Sequence, residues 1–62
     1  MTYTVIYRTG GTDNCQWHRA LAVQTKEEAT AQVAAIEHGG RRALYHETGR
    51  LDAIGLPTGL DA

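Results

Sequence analysis

"TKEEATAQVAAIEHGG", Thr25 to Gly40, decides the fold of this chain. Thr25 stands three residues before Glu28, the spacing of a capping box, in which the Thr hydroxyl takes an orphan backbone N–H of the first turn. Glu27 and Glu28 lie in that first turn, where the helix dipole favours negative charge. Ala29, Val33 and Ile36 recur at i, i+4 and i+7, which builds one narrow apolar stripe. Gly39 and Gly40 end the pattern, because glycine accepts the left-handed conformation that closes a helix. The spacing predicts a helix over 26–38 that buries one face only.

Two strands are expected before this helix. "TYTVIYRT", Thr2 to Thr9, is rich in β-branched and aromatic residues. Alternation puts Tyr3, Val5 and Tyr7 on one face and Thr4, Ile6 and Arg8 on the other. "QWHRALAV", Gln16 to Val23, reads as the second strand, with Trp17, Arg19, Leu21 and Val23 on one face and His18, Ala20 and Ala22 on the other. The turn cluster "GGTDN", Gly10 to Asn14, joins them into an antiparallel hairpin.

After the helix, "RRALYHE", Arg41 to Glu47, reads as a third strand. Its facing stays open, with either Arg42, Leu44 and His46 or Ala43 and Tyr45 on the face away from the helix. Beyond it, Leu51 to Ile54 fits a fourth strand or a short helical turn stopped by Gly55. The order Gly, Leu56, Pro57 favours the helical turn. A strand–helix–strand crossover makes its two strands parallel. With a hairpin in front, the most apolar strand then takes the centre. The expected fold is a small α+β domain, ββαβ, with a three-stranded, mainly antiparallel sheet of order 2-1-3. It spans 1–62 as one domain, with 55–62 as a frayed tail.

A chain of 62 residues builds only a small core. Its single cysteine, Cys15, has no disulfide partner, which fits a reducing compartment. No apolar run approaches the roughly 20 residues of a membrane span, and the start "MTYTVIYRTGG" lacks the pattern of a secretory leader. The expectation is a soluble cytoplasmic protein with no membrane partner. Six basic residues face seven acidic ones, a balance that disfavours a general nucleic-acid binder. Yet five of the six basic residues are Arg, whose planar fork suits carboxylates, phosphates and interfaces.

The chemistry-bearing types concentrate in "TGGTDNCQWHR", Thr9 to Arg19. Cys15 and His18 have the spacing of half a zinc site, but the second ligand pair is missing, as His38 ends a helix and His46 follows a Gly-Gly break. As nucleophile and base they would need an oxyanion pocket, for which one helix on one sheet leaves little room. "TGG" and "HGG" lack the Gly-Lys-Ser/Thr of a phosphate loop. No cofactor, metal or catalytic residue is expected. A lone Trp in a small domain is most often core. Here Trp17 also stands beside His18 and Arg19 at a strand end, and Trp and Arg are the types that most often anchor interfaces. One helix covers one face of a sheet, so the second face is expected to lie open, as a partner-binding or homodimer surface. Trp17, His18, Arg19, Arg8, Ile6 and Arg42 are therefore the candidate partner-binding residues.

The "Y-x-V-I-Y-R-T-G-G" start, the "W-H-R" of residues 17–19 and the "A-I-G-L-P" of residues 53–57 resemble small uncharacterised proteins of bacteria, their phages and integrated elements. In size and ββαβ layout the chain is also similar to phage-encoded inhibitors of bacterial defence, the anti-CRISPR proteins among them. That likeness is one of format and transfers no residue role. It implies a non-enzymatic protein that binds a protein or ribonucleoprotein complex. The alternative is a small nucleic-acid-binding or regulatory domain using Arg8, Arg19, Arg41 and Arg42.

Overall fold

The computed structural model describes residues 1–11 and 14–57. Thr12 and Asp13 of the expected turn, and residues 58–62 of the expected frayed tail, lie outside the described residues. The elements are β1 (Tyr3–Thr9), β2 (Gln16–Val23), α1 (Lys26–His38), β3 (Ala43–Glu47) and α2 (Thr48–Ile54). The sheet has the order β2-β1-β3, with β1 antiparallel to both neighbours. The two outer strands therefore run parallel to each other, as the crossover through α1 requires. This is the small α+β domain that the pattern predicts.

Helix α1 begins as its capping box dictates. The Glu28 N–H donates to Thr25 Oγ1 at 3.1 Å, and the Thr25 hydroxyl lies 3.3 Å from Glu28 Oε1. At its other end the Gly40 N–H donates to the Glu37 carbonyl (3.0 Å) and the Arg41 N–H to that of Ile36 (3.4 Å). With Gly40 at φ +93°, this is a Schellman closure. It takes up Arg41, so β3 starts at Ala43 rather than at Arg41. The Arg42 carbonyl still accepts from the Arg8 N–H at 2.9 Å. The α1 stripe packs as expected: Ala29 is buried with Val5 and Val23, and Tyr3, Val33, Ile36 and Tyr45 close around them. The Tyr3 and Tyr45 rings meet edge to face, 5.9 Å apart.

The other face of the sheet departs from expectation. The residues after β3 form a helix, not a fourth strand, and α2 brings Leu51 onto that face against Ile6 and Trp17, with Leu44 packed beside them. Its start is tied to β1, since the Thr48 N–H donates to the Thr2 carbonyl (3.0 Å) and the Thr48 hydroxyl meets those of Thr2 and Thr4. The hydroxyl of buried Thr4 is thereby satisfied. The Gly55 N–H closes α2 on the Leu51 carbonyl at 2.7 Å, with Gly55 at φ +78°. The second face is thus covered by α2 around Ile6, Leu44 and Trp17 rather than open there.

Trp17 reaches this second core because β2 is irregular. Val5 pairs with Leu21, whereas Ile6 pairs with Arg19, which leaves Ala20 as an extra residue. One added residue reverses the alternation. Leu21 and Val23 stay with Val5 and Tyr3 on the α1 face, while Arg19 and Trp17 lie opposite Ile6 and Arg8 on the α2 face. Strict alternation had put all four on one face. Deleting Ala20 is therefore expected to preserve the fold, since it leaves Val5–Leu21 and Ile6–Arg19 opposite each other in a regular ladder. Trp17 fluorescence should remain that of a shielded indole and the melting transition should remain cooperative. A solvent-exposed Trp in the deletion variant would refute this register.

Candidate interaction surface

The structure separates the expected partner-binding residues. Ile6 and Trp17 are 0% and 5% exposed, so their side chains build the second core and offer almost no surface to a partner. His18 is half-buried on the α1 face. Its Nε2 lies 2.9 Å from the Thr9 hydroxyl, and its ring lies 5.4 Å from that of Tyr7. Arg19 is exposed on the α2 face and meets Asp52 of α2 at 3.2 Å. Both side chains are well solvated, so this pair contributes about 0–1 kcal/mol. Arg8 is half-buried at the end of β1, opposite Trp17, and Arg42 is exposed at the entry to β3.

Among the described residues, two depressions adjoin these side chains. The first, about 410 Å³, lies between α1 and the outer strand β2, lined by Tyr7, Arg19, Ala20, Leu21, Gln32, Ile36 and Arg41. Its apolar part is Leu21, 37% exposed, with half-buried Tyr7 and Ile36. The Arg41 guanidinium sits over the Tyr7 ring, 5.6 Å from its centre, so its charge is held at the rim. The exposed run Arg19–Ala22 of β2 flanks this groove at the sheet edge. The second depression, about 260 Å³, is lined by Arg8, Thr9, Gly10, Gly40, Arg41 and Arg42.

Tyr7 and Leu21 lie on the face of the sheet that α1 covers, and Ile36 belongs to α1 itself. Sequence reasoning missed that α1 leaves them as a groove wall. The one cue to it is Ala20 beside Leu21, a small residue that lowers the wall toward β2. Cys15 is half-buried with a free thiol. Among the described residues, no three His, Cys, Asp or Glu side chains gather as a metal-ligand set, and no helix is long and apolar enough to cross a membrane. No protein-family model, curated protein or solved structure matches the chain.

Proposed function

We propose that the protein is a small non-enzymatic macromolecule-binding module that works through protein–protein contacts, with the groove between α1 and β2 as its contact surface. The observation that carries this reading is the coincidence of a sheet edge with exposed, small-residue backbone and an apolar trough beside it. An extended segment of a partner can add to such an edge by main-chain hydrogen bonds while its side chains enter the trough. Arg41 at the rim favours an acidic residue on that segment. Arg19 and His18 border the surface from β2, whereas Trp17 lies in the core on the other face of the sheet. The partner class we propose is a protein or ribonucleoprotein complex, with inhibition of a host defence complex as the role that the chain's format supports. The unpaired Cys15 supports a reducing, cytoplasmic setting.

The test is affinity for a captured partner, compared across variants shown to be folded. Leu21→Asp is expected to weaken binding tenfold or more, since it puts a charge into the trough. Glu27→Ala, on the outer surface of α1, should bind as the wild type does. Leu21→Asp binding with wild-type affinity would remove the groove from consideration. Affinity that falls steeply with salt would favour the other reading, recognition of nucleic-acid phosphates.

A further inference from the structure

We infer that the groove on β2 receives a strand of the partner that runs antiparallel to β2 and reads apolar-x-acidic from its N-terminal side; this rests on the groove being the contact surface. The Arg8 N–H donates to the Arg42 carbonyl, and the Thr2 carbonyl accepts from the Thr48 N–H. Successive residues of an antiparallel strand turn their N–H and C=O groups to alternate sides. The even-numbered residues of β1 therefore bond toward β3, and the odd-numbered ones toward β2. Tyr3–Val23, Val5–Leu21 and Tyr7–His18 are then the hydrogen-bonded pairs of the hairpin. Ala22, between two of them, turns both backbone groups to the outer side of β2. The run Arg19–Ala22 is exposed at every position, so that side is open to solvent there.

This register decides which side chains of the incoming strand meet the groove. Leu21 bonds back to β1, so a residue added opposite it forms a non-hydrogen-bonded pair, in which side chains stand closest. That residue points to the α1 face and enters the trough between Leu21 and Ile36, which selects an apolar side chain. Two residues further on the same face, toward His18, the strand passes Tyr7, over whose ring Arg41 is held 5.6 Å from the centre. A carboxylate at that position meets the Arg41 guanidinium at the rim. The residue between these two points to the other face, beside Arg19, whose charge already pairs with Asp52. The chain of β2 runs from Gln16 to Val23, so an antiparallel strand reaches Leu21 before His18. The apolar residue therefore precedes the acidic one. The antiparallel direction is the one β1 adopts with both of its neighbours, and it is the more stable per residue.

The test is an NMR titration of the isotope-labelled protein with two end-blocked seven-residue peptides. One carries a valine followed two residues later by a glutamate, with threonine elsewhere; the other has the valine and glutamate exchanged. With the first, saturable shifts at the amides of Arg19 to Ala22 are expected, and the Ala22 amide should exchange more slowly with solvent. The exchanged peptide should bind about tenfold more weakly, the worth of burying one valine. Glutamine in place of the glutamate should weaken binding about threefold, the worth of a solvated charge pair, and Arg41→Gln should erase that difference. Equal affinity for the two orders, or no saturable shift at millimolar peptide, would overturn the inference. So would Ala22 shifts that follow protein concentration without peptide, which would give the edge to a second copy of the chain. If Leu21→Asp weakens the captured partner while both peptides bind alike, the groove stands and the strand order alone fails.

Discussion

Trp17→Ala is expected to remove roughly half or more of the protein's stability at 25 °C. A domain of this size has a total stability of roughly 3–9 kcal/mol, and truncating a buried Trp removes about 3–5 kcal/mol of it. The indole is the largest side chain in the core it shares with Ile6 and Leu51. The chain has no disulfide that would limit the unfolded ensemble. Trp17→Phe, which keeps an apolar ring in place, should retain a cooperative transition at lower temperature. Urea unfolding followed by circular dichroism measures both. A folded Trp17→Ala protein with near-wild-type stability would show that the indole sits on the surface, as an interface residue would.

Leu51→Asp is expected to be equally severe, from the opposite side of the same cluster. Leu51 is fully buried among Ile6, Trp17 and Leu44, none of which carries a cation to pair with a carboxylate. A charge without a partner in such a place costs several kcal/mol. Ile54→Asp, at a position 59% exposed on the same helix, should stay within about 0.5 kcal/mol of the wild type. The contrast separates burial from any general intolerance of α2 to acidic residues. Combining Leu51→Ala with Trp17→Ala should cost less than the sum of the two single losses, because the side chains belong to one cluster. Simple additivity would mean that α2 packs elsewhere.

Helix α1 was legible in the sequence to the residue, because its signals are local. A cap, a first-turn acidic pair, a period of three to four and a glycine stop all act within a few residues of the place they mark. The order β2-β1-β3 was legible too, from the parallel pair that a crossover requires and the apolar character of β1. Helix α2 was legible only as one of two options. Its seven residues are too few to establish a period, and the Gly-Leu-Pro stop alone favoured it. The candidate site was legible in part. Arg8, Arg19, Arg42 and His18 lie at or near the surface, whereas Ile6 and Trp17 lie within.

The sequence by itself determined where α1 begins and ends, which strand is central, and that one face of the sheet belongs to α1. Only the tertiary structure decided which way Trp17 faces and what lies over Ile6. Ala20 carries no side-chain mark of a bulge; it sits in Ala20-Leu21-Ala22, where any of the three is sterically able to be the extra residue. The choice arises when both ends of β2 must satisfy β1 at once, Val23 against Tyr3 and Trp17 against Arg8. A strand read alone has only its alternation, and a single unpaired residue reverses every side chain beyond it. The same reversal moved the indole from a surface candidate to the centre of a second core, and α2 closed over it.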